Sequence, residues 1–361
     1  DGRATLVNAA NCVGHGACFH ACPVEAISLV IGTEQRGVDL PHVNANYESN
    51  VQGVYIAGEL GGMGLIKNSV EQGEAAVESI VKSLTKKGGD SYDLIIVGAG
   101  PAGISASLNA KKHGLNFLTL EQDSLGGTVF NFPRSKIVMT APMNLPLYGR
   151  VKLYDTTKKE LLDLWVDALT SNDIAIRENT KVEGIQLEGD KFWVKTNRGD
   201  EFKTKTVLLA IGRRGSPRKL GVPGEGLEKV AYRLLEPENI MEKKVVVVGG
   251  GDSAVEAALS LAEQNSVILS YRGDAFGRLK PKNREKLDAA IQQRKLDVKL
   301  KSNLIFIEKE KAVLSLNGDG QEALLNDLVY IFAGGELPTQ FLEKVGVQVM
   351  KRFGYTVKKH R

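Results

Sequence analysis

Short apolar runs recur along this chain, and in two places such a run is followed at once by closely spaced glycines and then by a helical pattern. The first run covers residues 94–97 and the second covers residues 244–248. A continuous apolar run of this length predicts a strand that is buried on both faces, as in a parallel sheet. Strand, turn and helix in this order predict an α/β fold.

The same patterns place the remaining elements. Apolar residues at helical spacing predict helices over residues 69–84, 104–112, 161–169 and 253–264. Short alternating runs between residues 174 and 204 predict a small meander of strands. Apolar runs at 53–58 and 206–212 predict two more buried strands, so strands and helices are expected along most of the chain.

The first glycine turn has the spacing G-x-G-x-x-G and leads into the helix at 104–112. Glycines there allow a tight turn and close approach of the backbone to a pyrophosphate, and the helix N-terminus offers free N–H groups and a positive dipole. About twenty residues later the next strand, 116–120, ends in an acid, where a carboxylate binds an adenosine ribose. The candidate dinucleotide contacts are Gly98, Gly100, Pro101, Ala102, Gly103 and Glu121.

The second glycine turn has the spacing G-x-G-x-x-A, and its candidate contacts are Gly249, Gly251, Asp252, Ser253 and Ala254. The next strand, 267–272, ends in Tyr271 and Arg272 without an acid. A carboxylate there would repel a ribose 2′-phosphate, whereas Arg272 would bind it, and Arg278 and Lys280 would add positive charge. We therefore expect NADPH at this turn, with NADH as the alternative.

Composition narrows the classes of protein. The chain has 361 residues, enough for two or three domains, and a formal net charge of +4, too small to argue for nucleic acid. The one dense basic run, residues 351–361, is expected to be a solvated end. No apolar run reaches membrane-spanning length. The three cysteines all lie between positions 12 and 22, which argues against a secreted disulfide framework and favours a cytoplasmic protein.

The cysteines form one local motif. Cys12, His15, Cys18 and Cys22 stand at a spacing that resembles the bacterial ferredoxin run C-x-x-C-x-x-C-x-x-x-C-P, whose thiolates hold [4Fe–4S] clusters. His15 replaces the second cysteine of that run, and the sequence has no second motif. Four interpretations remain open: a cluster with a histidine ligand, a three-iron or degenerate cluster, a segment without metal, and a zinc site.

Three further stretches resemble two-dinucleotide flavoproteins of the thioredoxin reductase and glutathione reductase kind. Residues 53–73 resemble the family's closing segment, in which a strand ending in Gly-Asp contacts the flavin's ribityl-phosphate; a glutamate replaces that aspartate here. Residues 124–128 resemble the glycine pair beneath the flavin, and residues 206–212 resemble the strand before the crossing to the second domain. The resemblance implies FAD contacts from Gly58, Glu59, Asn68, Gly126, Gly127, Thr128, Ala210 and Gly212.

In that family the closing segment is C-terminal, whereas here it precedes the first glycine turn. Either the flavin domain is circularly permuted, or residues 1–84 complete an earlier repeat; since only a short helix and a basic tail follow residue 336, we favour permutation. The expected fold is α/β, with two Rossmann-like dinucleotide-binding domains and a small ferredoxin-like segment. The expected divisions are 1–36 (ferredoxin-like segment), 37–84 (closing strand and helix), 92–215 (FAD domain), 216–340 (NAD(P)H domain) and 341–361 (C-terminal helix and basic tail).

Two such turns imply hydride transfer between a nicotinamide and FAD, for which the cofactors supply the reactive atoms. Residues 234–251 lack the C-x-x-C of thioredoxin reductases, and Ala102 stands where the similar bacillithiol disulfide reductases carry a thiol. We therefore expect an NAD(P)H-dependent FAD oxidoreductase, similar to ferredoxin–NADP reductases, that delivers electrons to an iron–sulfur centre, a ferredoxin, another redox protein or a small acceptor. The alternatives are direct reduction of a small disulfide or a quinone, and a slow redox-sensing module. The resemblance also implies a homodimer.

Overall fold

In the computed structural model, the described residues are 18, 22–31, 38–62, 64–132, 137–213, 216–277, 279–316, 320–336, 338–353 and 355–358. Their helices are α1 (Ile66–Ser83), α2 (Pro101–Lys112), α3 (Lys158–Thr170), α4 (Asp252–Leu261), α5 (Pro281–Gln292) and α6 (Thr339–Lys344), with short 3-10 turns at Gly58–Gly61 and Pro237–Asn239. None of these helices has the length and apolar character needed to cross a membrane.

The strands follow in chain order. They are β1 (Leu29–Ile31), β2 (Val38–Pro41), β3 (Val54–Ile56), β4 (Tyr92–Val97), β5 (Phe117–Leu120), β6 (Ile137–Met139), β7 (Met143–Leu145), β8 (Gly149–Val151), β9 (Asp155–Thr157), β10 (Ile176–Arg177), β11 (Val182–Glu188), β12 (Lys191–Thr196), β13 (Glu201–Leu209), β14 (Ser216–Pro217), β15 (Val230–Ala231), β16 (Lys244–Val248), β17 (Ser266–Tyr271), β18 (Asp297–Leu300), β19 (Ser302–Ile307), β20 (Lys311–Leu316), β21 (Gly320–Leu325), β22 (Leu328–Ile331), β23 (Gly335–Glu336), β24 (Val349–Arg352) and β25 (Tyr355–Lys358).

The first domain is built on a seven-stranded sheet in the order β10-β5-β4-β13-β12-β11, with β3 also paired to β13. The strand predicted from the apolar run at 94–97 is β4, and it lies between β5 and β13 in parallel pairing. Its residues from Leu94 onwards are buried, because helices cover one face of the sheet and a second apolar cluster covers the other. The predicted meander forms the antiparallel ladders β11-β12-β13.

The segment that precedes the first glycine turn folds onto this same sheet. Strand β3 pairs in parallel with the carboxyl end of β13, and Ala57 N–H donates to the carbonyl of Leu209 at 3.1 Å. Helix α1 then lies against α2, where the Ser105 hydroxyl donates to the carbonyl of Val70 at 2.7 Å. The predicted strand and helix are therefore present, although α1 begins at Ile66, one turn earlier than its apolar pattern indicated.

The linker between α1 and β4 is held by charged side chains. Asp93 is almost fully buried, with 1% of its side chain exposed, and its carboxylate lies 2.7 Å from the Lys205 ammonium. Lys205 also donates to the carbonyls of Lys86, at 2.8 Å, and Gly88, at 2.6 Å. Although burial alone would raise the pKa of Asp93, hydrogen bonds from Lys205 and from backbone N–H groups keep that pKa below its ordinary value.

The second domain has a five-stranded parallel sheet in the order β15-β22-β16-β17-β18. One face packs against α4 and α5, and the other packs against the antiparallel sheet β19-β20-β21. The apolar run at 244–248 is β16, the strand that leads into the second glycine turn. Strands β14 and β23, which pair with each other, mark where the chain enters and leaves this domain.

The end of the chain forms two strands in addition to the predicted short helix. Strand β24 pairs antiparallel with β2, and β25 pairs antiparallel with β1. Leu342 of α6 and Val347 are 2% exposed and belong to the same apolar cluster as Val54 and Ile56. Both residues precede the basic run at 351–361, and their burial holds this part of the chain against the first sheet.

The contact between α1 and α2 leads to a stability prediction. A Cβ atom built at Gly73 would lie 2.1 Å from the Ala102 carbonyl oxygen, which belongs to the backbone and has no freedom to rotate away. We expect Gly73→Ala to lower the free energy of unfolding by about 2 kcal/mol, as overpacking does. Gly184→Ala is the control, because nothing lies within 4 Å of a Cβ at that position. Urea unfolding followed by circular dichroism measures both; equal midpoints for the two variants would contradict the predicted close approach.

Candidate functional site

A cavity of about 690 Å³ lies at the carboxyl ends of the parallel strands in the first domain. Val97 ends β4, Leu120 ends β5 and Ala210 follows β13, and all three line the cavity. Ligands of open α/β sheets bind at this edge. Eleven of the residues predicted from the sequence for the flavin site line it: Gly58, Glu59, Gly98, Gly100, Pro101, Ala102, Glu121, Gly127, Thr128, Ala210 and Gly212.

The first glycine turn is shaped by two close backbone contacts. Gly98 has φ +106°, and a Cβ atom there would lie 2.5 Å from the Ala210 carbonyl oxygen. A Cβ atom at Gly103 would lie 1.8 Å from the carbonyl oxygen of Gly98, so the helix can approach the strand this closely only with glycine at that position. At Gly100 nothing lies within 4 Å of an added Cβ, and this residue lines the cavity. The N-terminus of α2 therefore faces open space.

Glu121 is held in a fixed orientation at the cavity wall. Its side chain accepts hydrogen bonds from the N–H of Ala99 at 2.7 Å and from the N–H of Asp123 at 3.0 Å. The residue is 5% exposed, and burial raises the pKa of its carboxyl group above the ordinary value. One oxygen thus fixes the glycine turn, and the other fixes the loop that follows β5.

The glycine pair after β5 passes directly over the first turn. Gly126 N–H donates to the carbonyl of Ala99 at 2.9 Å. Gly127 has φ +55°, and a Cβ atom there would lie 3.2 Å from the Cα atom of Gly100. Gly103 and Gly126 are not among the residues that line the cavity, because they form its supporting contacts.

The closing segment supplies another wall of the cavity. Gly58 N–H donates to the Gln72 side chain at 2.9 Å, and a Cβ atom at Gly58 would lie 3.0 Å from the Cβ of Ala102. Glu59 lines the cavity, whereas the predicted Asn68 does not; its helix contributes Ile66 and Ser69 instead.

Sequence patterns missed a second group of cavity residues, some beside the predicted contacts and others from distant parts of the chain. They carry no motif, and those from distant parts reach the cavity through the strand order, the second domain and the return of the chain at α6. Among them are Asp123, Asn131, Thr180, Lys181, Val182, Arg218, Arg233, Thr339, Gln340 and Phe341.

The second glycine turn repeats the geometry of the first. A Cβ atom at Gly249, which has φ +149°, would lie 2.7 Å from the Phe332 carbonyl oxygen, and nothing lies within 4 Å of one at Gly251. Helix α4 starts at Asp252, with Ser253 next and Ala254 buried. The Asp252 carboxylate accepts from the N–H of Lys280 at 3.0 Å, so it also fixes the start of α5.

Tyr271 and Arg272 lie beside this turn in different environments. The Tyr271 ring covers Gly250, where an added Cβ would lie 2.1 Å from the ring, and it stacks on Phe276 with centroids 5.1 Å apart. Arg272 is exposed, and no carboxylate in the described part of the chain is within ion-pair distance of it. Arg278 lies outside the described residues.

The cysteine motif is described only in part. Cys12 and His15 lie outside the described residues, Cys18 is exposed and Cys22 is half-buried. The Cys22 thiol accepts from the N–H of Ala26 at 3.3 Å, and this and neighbouring backbone N–H groups lower the pKa of the thiol. Within the described ranges, no group of three or more histidine, cysteine, aspartate or glutamate side chains is arranged to hold a metal ion.

Two glycine turns, each after a parallel-paired strand of a separate sheet, are typical of a flavoprotein that uses a pyridine nucleotide. Residues 95–359 match the family model described as pyridine nucleotide-disulphide oxidoreductase, and the chain belongs to that family. It is therefore an FAD-containing, NAD(P)H-dependent oxidoreductase, and the predicted Rossmann-like α/β fold is confirmed.

Known proteins similar to this chain include several reductases. A ferredoxin–NADP reductase of Ignicoccus hospitalis is 30% identical over 260 residues, which is 71% of this chain and 82% of that protein. The bacilliredoxin reductase Bdr of Bacillus subtilis is 27% identical over 270 residues, 72% of this chain and 82% of that protein. The structure of thioredoxin reductase from Lactococcus lactis is 26% identical in sequence and has a TM-score of 0.52. The matched part is 71% of this chain and 82% of the thioredoxin reductase chain.

Proposed function

We propose that this oxidoreductase takes electrons from NADPH and passes them through FAD to an iron–sulfur centre, a ferredoxin or another small redox acceptor. The observation that carries the proposal concerns the wall of the cavity, in which none of the described lining residues is a cysteine. Ala102 lines the cavity at the N-terminus of α2, and the described cysteines, Cys18 and Cys22, do not line it. The Ignicoccus hospitalis relative is named for the same class of reaction.

The cavity residues fit FAD. Gly100 leaves open space beside the N-terminus of α2, where backbone N–H groups would hold the pyrophosphate. Glu121 would accept from the adenosine ribose hydroxyls, since it is fixed at the cavity wall. Gly127 and Thr128 would contact the ring system, with Gly126 supporting them from outside the cavity, and Gly58 and Glu59 would contact the ribityl-phosphate.

Bound flavin supplies the reactive chemistry, namely uptake of a hydride and release of single electrons. The chain contributes position. Apolar side chains at the strand ends, Val97 and Leu120, form part of the inner wall of the cavity. At the second turn, Gly251 and the N-terminus of α4 would hold the NADPH pyrophosphate, and exposed Arg272 would bind the 2′-phosphate.

We also propose that the order of segments in this chain is a circular permutation of the family's order. Three observations support it: β3 pairs in register with β13, α1 packs on α2 with glycine at the contact, and Lys205 fastens the linker between α1 and β4. If residues 1–84 completed a different repeat, we would not expect them to make these specific contacts with β13 and α2.

The cysteine segment is the proposed electron outlet. Cys12, His15, Cys18 and Cys22 would hold a [4Fe–4S] or degenerate cluster, and the support for this is their spacing in the sequence. Strands β1 and β2 follow this segment in the chain and pair with β25 and β24, respectively.

The central test uses the purified chain with its flavin. We expect NADPH to bleach the yellow flavin under anaerobic conditions, and we expect a ferredoxin or ferricyanide to restore the colour, giving steady-state turnover. Absorbance near 450 nm follows both steps. A flavin that stays oxidised with NADPH would refute the proposed direction of electron flow, and a flavin that bleaches but reoxidises only with a small disulfide or a quinone would favour the alternative reductase.

Nucleotide preference is expected to depend on Arg272. Arg272→Glu should raise KM for NADPH by tenfold or more, since a charge-assisted hydrogen bond is worth about 1.5–3 kcal/mol, and should change KM for NADH by less than about twofold. Arg294→Glu is the matched control, because Arg294 is an exposed arginine that follows α5 in the same domain. An equal rise in KM for NADPH and NADH would contradict the proposal that Arg272 binds the 2′-phosphate.

The cluster is tested by iron and labile-sulfide analysis of protein prepared without oxygen. We expect iron and sulfide in the native chain and neither in a variant with Cys12, Cys18 and Cys22 all changed to Ser. Reduction of the flavin by NADPH should persist in that variant, while electron transfer to ferredoxin should fall at least tenfold. Full turnover with ferredoxin would show that electrons leave the flavin without the cysteine segment.

A further inference from the structure

One arginine of the second domain reaches into the cavity of the first. Arg233 comes two residues after β15, which pairs with β22 in the second sheet. Its guanidinium Nη1 lies 3.0 Å from Asp123 Oδ2 and 2.9 Å from Asn131 Oδ1. All three residues line the cavity assigned to FAD, although neither Arg233 nor its partners belong to any motif in the sequence.

The first partner leads to the first glycine turn. Asp123 N–H donates to Glu121 Oε1 at 3.0 Å, and Glu121 Oε2 accepts from Ala99 N–H at 2.7 Å. Ala99 lies between Gly98 and Gly100. A displacement of Arg233 is therefore transmitted to the glycine turn through the loop after β5.

The second partner leads to the same turn by a separate route. The Asn131 side-chain amide donates to the Gly127 carbonyl at 3.1 Å. Gly127 packs against Gly100, where a Cβ on Gly127 would lie 3.2 Å from the Gly100 Cα. Both routes from Arg233 therefore end on adjacent residues, Ala99 and Gly100.

We propose that Arg233 is a positioning residue that sets the second domain relative to the first glycine turn, and so sets the approach of the nicotinamide to the flavin. This inference rests on the proposed function. Two short strands, β14 and β23, carry the chain between the domains, and Arg233 adds a side-chain contact between the domains away from them. Hydride transfer is sensitive to such angles, since displacements near 1 Å are costly.

The size of the effect follows from the exposure of the pair. The side chains of Arg233 and Asp123 are 32% and 45% exposed. An ion pair this exposed is expected to change the equilibrium between domain orientations by about fivefold. Both hydrogen bonds come from the same nitrogen, Nη1, and a lysine at this position would keep the positive charge on a side chain of different reach.

The test compares Arg233→Met, Arg233→Lys and a matched control in the full chain with FAD. Arg177→Met is the control, because Arg177 pairs with Asp200 at 3.4 Å inside the first domain. We expect the rate of flavin reduction at saturating NADPH to fall about fivefold in Arg233→Met and the dissociation constant for NADPH to stay within about twofold. Arg233→Lys should recover part of the rate, and Arg177→Met should match the native chain.

Hydrogen exchange gives a second measurement that does not depend on activity. Amide exchange in residues 121–132 should rise in Arg233→Met and stay native-like in Arg177→Met. Unchanged exchange, or a reduction rate that is unchanged or faster, would overturn the role of Arg233. If Arg233→Met does not fold, Asp123→Asn removes the charge of one partner and should raise exchange in the same residues. A native flavin that NADPH does not bleach would refute the proposed function, while hydrogen exchange would still decide whether Arg233 couples the domains.

Discussion

The first domain depends on how closely helix α2 approaches the backbone on both of its sides. On the sheet side, a Cβ at Gly103 would lie 1.8 Å from the Gly98 carbonyl oxygen. On the other side, a Cβ at Gly73 of α1 would lie 2.1 Å from the carbonyl oxygen of Ala102. Two glycines thus bring the start of α2 to backbone distance from the glycine turn on one side and from α1 on the other.

The shape of the cavity depends on this position of α2. With α2 fixed, the turn that precedes it is held by Glu121 through Ala99 and is overlaid by Gly126 and Gly127. A dinucleotide site needs donors that are already in place, because each group ordered on binding reduces affinity. The second domain builds its turn in the same way with Gly249 and Ala254, but replaces the acid after the second strand by Arg272. The difference in charge between the two turns distinguishes the two expected nucleotides.

Local patterns were sufficient for the parts of the fold that local forces determine. Buried strands, glycine turns and the helices after them were predicted because steric rules tie each to a few neighbouring residues. Thr180 and Arg233 reach the cavity only through tertiary packing, and nothing near them in the sequence indicates it. The return of α6 and β24 to the first domain was also not predicted, because isolated apolar positions such as Val347 do not indicate in the sequence where they pack.

The linker between α1 and β4 is held in place by side chains of the first domain as well as by its own peptide bonds. Lys205 holds the carbonyls of Lys86 and Gly88, while Asp93 holds the N–H of Gly88. Side chains of the first domain hold this linker in place. The peptide bonds within the linker therefore contribute little to keeping α1 packed against α2. A protease that cut there would sever the backbone and leave two fragments bound to each other, with the cavity between them intact.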